Sequence, residues 1–383
     1  MIRKIFHAIK ALLSRSVRID CDGIPYEFHN VPMKKIVNWI IVEAPIFFKT
    51  KKQWGWPTHL QIEPSTHCNL RCAFCPVTTG LDRPTGYMDL DMFKKIIDEV
   101  GDYVFLILLW DWGEPFLNPS VYDMISYAKK RGIKIVSSTN GHLFAKGDHA
   151  EKLIHSGIDS IIFAMDGITQ ETYERYRVKG DVHTVIKGIK RAVKAKSMLN
   201  SKTPLINLRF LPMKHNEHEI PLLRDFAGSL GVDVLTLKTL NPYHGGECDS
   251  GNVNGNEFVP ESRVYKRFEY NLKDHLRIRR KRNPCKALWN NPIIHWNGKV
   301  SPCTFDPHDH YVAGDLNTET LKDIWSGDHY RKLRRQFRED YKRIDLCSEC
   351  TYAFEGGSLS TEIIAEAHFF NTPAGDQARC RRE

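Results

Sequence analysis

The spacing of Cys68, Cys72 and Cys75 constrains this 383-residue chain more than any other feature. The three thiols form a C-x3-C-x2-C run just after residues 59–64, whose alternation reads as a strand. A loop leaving a strand end can fold three thiolates around one inorganic centre. Thiolate-rich sets select soft metals and iron–sulfur clusters over hard cations. Three protein ligands on a cubane of four irons leave one iron with an open coordination position. Zinc is the competing reading. A structural zinc site normally closes with four ligands, and His67, directly before Cys68, would be strained as the fourth.

The other cysteines sharpen this. Cys285, Cys303, Cys347 and Cys350 form a second group, leaving Cys21, Cys248 and Cys380. The chain opens on basic Arg3 and Lys4, but charges interrupt any apolar core and no small-residue cleavage site follows, so no secretory signal is read. Clustered cysteines without a signal argue for a cytoplasmic protein that binds metal rather than forming disulfides. The net charge of +9 concentrates at residues 277–282 and 331–338. Such runs read as solvated faces, and no nucleic-acid partner is expected.

Residues 1–20 place Ile2, Ile5, Phe6, Ile9, Leu12 and Leu13 at helical spacing opposite Arg3, Lys4, Lys10 and Arg15. Residues 33–52 repeat the theme, and Glu43 and Pro45 interrupt an apolar stretch too short to span a bilayer. Two readings stay open for this extension, 1–55. It packs on the rest of the fold or on a second subunit, the favoured reading, or it touches the inner face of a membrane as an interfacial anchor.

From 58 to 245, strand-like runs at 59–64, 103–110, 133–139, 160–166, 205–213 and 233–240 alternate with helical segments near 89–100, 119–131, 145–156, 170–198 and 216–230. Six β–α repeats predict a parallel sheet, either a barrel or a doubly wound form. Residues 246–284 turn Gly/Asn-rich and then basic, which marks a linker. Beyond it, Asn297-Gly298 between apolar alternations predicts a hairpin that delivers Cys303 beside Cys285. Four thiolates there suit either tetrahedral zinc or a fully ligated iron–sulfur cluster, with zinc slightly ahead on chemistry alone.

The run Cys68-x3-Cys72-x-Phe74-Cys75 resembles the signature of the radical S-adenosylmethionine (SAM) superfamily, where an aromatic precedes the third cysteine. The resemblance implies a partial (β/α)6 TIM-like barrel over 56–245, with SAM chelated at the open iron and Phe74 near the adenine. Asp111-Trp112-Gly113-Glu114-Pro115 resembles the family's Gly-Gly-Glu-Pro with Trp112 for the first Gly. Gly113 and Glu114 are then expected to hold the methionyl amine. By the same resemblance Asn140, Asp166 and Arg209 reach the ribose, carboxylate or substrate. The order Cys285, Cys303, Gly314-Asp315-Leu316, Ile324-Trp325, Cys347, Cys350 resembles the SPASM/Twitch extension and makes 285–383 a small cysteine-rich domain. It implies one auxiliary [4Fe-4S] cluster, closer to the Twitch pattern of a cyclitol dehydrogenase.

The function expected is hydrogen abstraction from a small sugar, cyclitol or polyol-like substrate, giving dehydrogenation or epimerisation. SAM and an electron donor such as flavodoxin or ferredoxin are the expected partners. Cys248, in a loop placed at the strand carboxyl ends, is the catalytic hydrogen donor if the enzyme epimerises and a dispensable surface thiol if it oxidises. The alternatives are a maturase acting on a ribosomally made peptide or protein and, from another class, a zinc-stabilised binding protein at a membrane surface.

Overall fold

The computed structural model describes residues 2–21, 24–241, 255–266, 269–270, 277–278, 285–348, 363–369 and 378–380. Cys248 and Cys350 lie outside the described residues, as does most of the 246–284 linker. The amino-terminal extension holds two helices, α1 (Ile2–Ser14) and α2 (Met33–Phe47), as the apolar spacing predicts. Between them the structure adds an antiparallel hairpin, β1 (Val17–Cys21) and β2 (Ile24–Phe28), paired from Val17↔Phe28 to Cys21↔Ile24. Its inward residues Val17, Ile19, Tyr26 and Phe28 are buried, and its outward ones are Arg18, Asp20, Pro25 and Glu27.

Six strands follow: β3 (His59–Ile62), β4 (Leu106–Leu108), β5 (Lys134–Thr139), β6 (Ser160–Ala164), β7 (Leu205–Phe210) and β8 (Val234–Lys238). Each lies parallel to, and beside, its predecessor in the chain. A doubly wound sheet needs a point where the strand order reverses, and none occurs between β3 and β8. That decides the alternative the sequence left open in favour of the partial barrel.

Strand alternation sorts the core into two layers. Ile107, Ile135, Ile161, Ile206 and Leu208 face outward and pack with Phe93, Ile97, Met124, Leu153 and Val185 of the surrounding helices. Truncating one such aromatic, Phe93, to Ala costs about 3–5 kcal/mol. The alternate residues Leu106, Leu108, Val136 and Ile162 pack instead with the hairpin and with Ile36 of α2. Lys35 donates to the Val104 carbonyl (2.8 Å), and Asn38 bonds both backbone groups of Trp56. Those partners immediately precede the strands, so the extension closes the amino end of the barrel.

The segment expected as one helix over 170–198 is two, Gln170–Tyr176 and Val182–Met198. Lys179 takes a left-handed conformation (φ 66°) and Asp181 caps the second helix through Thr184 N–H. The carboxyl-terminal part completes the sheet on both sides. Ile293–Ile294 runs parallel beside β3 and turns through the expected hairpin, with Gly298 at φ 86°, into Lys299–Ser301. Ile363–His368 lies antiparallel against β8. Both edges of the six-stranded core are thereby covered.

Candidate cluster and cofactor site

Cys68, Cys72 and Cys75 lie on the loop that leaves the carboxyl end of β3. The loop is fastened from two directions. Arg71 N–H donates to Val178 O (2.9 Å) and Ala73 N–H to Tyr176 O (3.0 Å), while Glu114 N–H donates to His67 O (2.8 Å). Donors also point at the sulfurs: Leu70 N–H reaches Cys68 Sγ at 3.5 Å, Asn140 Nδ2 reaches it at 3.9 Å, and Arg177 Nη1 reaches Cys72 Sγ at 3.6 Å. Burial pushes the Cys68 thiol up to about 11 and Cys75 up to about 12, and raises Cys72 as well. Without a metal such sulfurs hold their protons, and metal binding would release them. Among the described residues no three His, Cys, Asp or Glu side chains are drawn together closely enough to hold a metal ion as they stand. The donor set nevertheless fits an iron–sulfur cluster, whose sulfurs take N–H donors of this kind.

Phe74, on the same loop, lies 5.0 Å from the Tyr176 ring and 5.3 Å from Phe258. Gly113 is where the Gly-Glu-Pro segment needs glycine. Its φ is 87°, and a Cβ there would collide with the Ser65 carbonyl. The departure at Trp112 therefore leaves the glycine that the backbone requires in place. Glu114 is buried and accepts from Thr139 Oγ1 (2.8 Å) and Phe116 N–H (3.3 Å) on Oε1, and from Asn140 N–H (2.8 Å) on Oε2. Burial pushes its carboxyl up to about 7, against the pull of those three donors. A carboxylate oxygen takes two donors, so Oε2 retains an acceptor position suited to an ammonium group.

Asn140 ties Glu114 to the cysteine loop, because its Nδ2 also donates to Asn69 Oδ1 (2.8 Å). Asp166 is fully buried, paired with Arg177 (2.6 Å) and accepting Leu211 N–H (2.8 Å). Its structural task is to aim Arg177 at Cys72. Arg209 lies on β7, opposite Ala164 of β6, and donates from Nε to Thr236 Oγ1 (3.2 Å). It faces the barrel interior with Asn207 and Thr236, one of the two directions the alternation allowed.

The second cysteine group is framed by the helix Asp328–Asp340. Arg334 Nε donates to Leu288 O (2.7 Å), which fixes the turn after Cys285. Tyr330 OH donates to Ser301 O (3.3 Å), which fixes the hairpin before Cys303. Leu346 N–H donates to Tyr311 OH (3.4 Å), so the turn carrying Cys347 docks on the loop that follows Cys303. Cys285, Cys303 and Cys347 are half-buried, and Phe305 N–H lies 3.5 Å from Cys303 Sγ.

Sequence reading missed a polar cluster between the two cysteine sites. Glu63, at the end of β3, takes a two-pronged bond from Arg83 (2.6 and 2.8 Å). Asp111 accepts from Gln61 (2.8 Å) and from Thr304, the neighbour of Cys303. His295 bonds Asp309 through Nδ1, while its Nε2 stands 3.7 Å from Asp111 Oδ2. Burial pushes the Asp111 carboxyl up to about 7. The only signal in the sequence was the proximity of Asp111 to the Gly-Glu-Pro motif.

Comparison with known proteins follows the same division. The Radical SAM superfamily model matches residues 62–210, and the SPASM iron–sulfur cluster-binding domain model matches 285–351. The tungsten-containing aldehyde ferredoxin oxidoreductase cofactor-modifying protein of Pyrococcus furiosus is 26% identical over 321 residues, covering 76% of this chain and 87% of its own. The AdoMet-dependent heme synthase of Methanosarcina barkeri is 26% identical over 345 residues, covering 80% and 95%. The crystal structure of Streptococcus suis SuiB bound to precursor peptide SuiA shares the fold with a TM-score of 0.58 at 17% identity, over 92% of this chain and 83% of that one.

Proposed function

The chain belongs to the radical SAM superfamily and carries a SPASM domain, and on that premise we propose that it is a maturase acting on a ribosomally made peptide or protein. The expectation of a zinc-stabilised binding protein falls with the same two domain matches, which make the chain an enzyme that binds SAM and iron–sulfur clusters. When bound, the reduced cluster and SAM supply a 5′-deoxyadenosyl radical that takes a hydrogen atom from substrate. Cys68, Cys72 and Cys75 hold that cluster, and Cys285, Cys303, Cys347 and Cys350 hold one auxiliary cluster. Glu114 Oε2 receives the SAM ammonium, with Asn140 keeping the carboxylate and the cysteine loop in register. Arg177 places a positive charge against Cys72, and Asp166 holds it there. Phe74 lines the adenine side, and Arg209 faces the substrate or the SAM carboxylate from inside the barrel.

The observation that carries the catalytic assignment is the convergence of N–H donors on the Cys68 and Cys72 sulfurs beside an open acceptor on Glu114. The peptide assignment draws support from the peptide-bound relative in fold, SuiB, and displaces the small sugar or cyclitol as first choice. The two relatives named for cofactor modification and heme synthesis are not named for sugar substrates. A flavodoxin- or ferredoxin-type donor is the proposed source of electrons. In the second reading, epimerisation of a small polyol, Cys248 returns the hydrogen atom.

Anaerobic reconstitution is expected to give about eight irons per chain. Changing Cys68, Cys72 and Cys75 together to Ala should leave about four and end 5′-deoxyadenosine formation; continued formation would overturn the cluster assignment. A precursor peptide encoded beside the gene should stimulate SAM cleavage and lose hydrogen mass. Stimulation by a polyol and not by the peptide would return the sugar reading.

A further inference from the structure

Membrane contact and packing were alternatives for residues 1–55 in the sequence, and the structure separates an inner from an outer face of these helices. The inner face of α2, with Ile36, Asn38, Val42 and Ile46, is buried against the barrel. Ala11 of α1 is buried with the hairpin, and α1 packs on α2. The outer faces are apolar too. On α1, Phe6, Ile9 and Leu13 follow one another at helical spacing and are 63%, 50% and 82% exposed. On α2, exposed Met33 and Val37 continue through half-buried Ile41 and Ala44 to Phe48, which is 67% exposed. A helix of α2's length carries such a stripe for about 22 Å. Isolated exposed apolar residues need no explanation, but two helical stripes on adjoining helices form a patch of the kind that marks an interaction site.

The charge around the patch selects its occupant. Residues 1–56 hold ten Lys and Arg against four Asp and Glu, most of the chain's net +9. Lys10, Arg15, Lys49 and Lys52 are exposed beside the stripes, and Trp54 is 56% exposed next to Lys52. An apolar stripe bordered by cations, with an aromatic at its margin, complements a surface of anionic headgroups over acyl chains. A second copy of this chain would bring like charges face to face, which opposes pairing. No helix among the described residues is long and apolar enough to cross a membrane, so the contact is peripheral. The extension lies at the amino ends of β3 and β4, while the cysteine loop leaves a carboxyl end. A bound membrane therefore leaves the barrel mouth clear.

We propose that the outer face of α1 and α2, through Phe6, Ile9, Leu13, Met33, Val37 and Phe48, docks this protein on an anionic lipid surface. This goes beyond the catalytic reading and does not depend on it. The test is co-sedimentation of the reconstituted full chain with phosphatidylglycerol-containing vesicles and with pure phosphatidylcholine vesicles. Wild type should sediment with the anionic vesicles and release as salt approaches about 1 M, where the Debye length is about 3 Å. Phe6→Glu with Leu13→Glu should lower vesicle affinity at least tenfold while iron content and SAM cleavage stay unchanged. Lys49→Glu with Lys52→Glu should weaken binding without touching the apolar stripe. Equal binding to both vesicle types, or equal binding by wild type and the Phe6/Leu13 variant, would overturn the proposal. So would a lack of vesicle binding, whether the chain is then monomeric or forms a dimer that Phe6→Glu with Leu13→Glu dissolves.

Discussion

Glu114 and Asp111 lie three positions apart and are buried alike, yet their surroundings give them different work. Glu114 meets three hydrogen-bond donors and keeps one acceptor position. Asp111 keeps an oxygen 3.7 Å from the His295 Nε2, inside a network that includes Glu63, Arg83 and Asp309. Lys299 borders the same network, 3.8 Å from Asp309. Burial raises the Asp111 carboxyl from 3.8 to about 7. His295, which burial alone would lower, is raised overall by its bond to Asp309. In both cases the folded chain holds the proton more tightly than the unfolded chain. The stability so contributed is present at low pH and is lost as pH rises through the folded values, for Asp111 about 7. Asp111→Asn removes its share. Wild-type melting temperature should therefore fall more than that of the variant between pH 3.8 and about 7, the span from the ordinary to the folded Asp111 value. Equal slopes would show that Asp111 is ionised throughout.

The elements show where local pattern was sufficient. The Asn297-Gly298 hairpin and the amphipathic helices, apart from the break within 170–198, formed where the sequence places them. The β1–β2 hairpin was equally legible, because Val17, Ile19 and Cys21 alternate, Ile24, Tyr26 and Phe28 alternate, and Asp22-Gly23 stands between them. The flanking helical periods obscured it. The helix Asp328–Asp340 is the element on which the second cysteine group depends. Arg334 is buried in it, donating to Leu288 O and Trp325 O, with its guanidinium 4.3 Å from the Trp325 ring and 4.7 Å from Tyr330. Burial pulls that group down to about 10. Arg334→Leu strands two buried carbonyls, each worth about 1–3 kcal/mol. The variant should melt earlier and retain about four irons, those of the first cluster, with SAM cleavage preserved. A variant that still binds a full iron complement would show that this helix does not frame the second site.

At the scale of the whole molecule, the carboxyl-terminal chain acts as the border of the barrel sheet as well as a metal domain. Ile293–Ile294 seals the β3 edge and Ile363–His368 seals the β8 edge. Ending the chain before Ile363 exposes β8 along its ladder, and an open edge invites pairing between molecules. The truncated protein should scatter light and aggregate at concentrations where the full chain stays dispersed; a monodisperse truncation would show the edge to be covered otherwise. By itself the sequence determined the chemistry and the repeat: thiol spacing selects soft metal, and a period of two alternating with a period near 3.6 selects β–α units. It determined that α1 and α2 are amphipathic, but a helical period marks an apolar face without saying whether that face is covered. Only the tertiary structure decided that one face closes the barrel and another remains outside. It also decided that Asp111 meets Thr304 and that Glu63 meets Arg83 and Trp296. Those contacts depend on strand order and register between segments up to 233 residues apart. No local spacing records that information, because the residues involved share no turn, helix or hairpin.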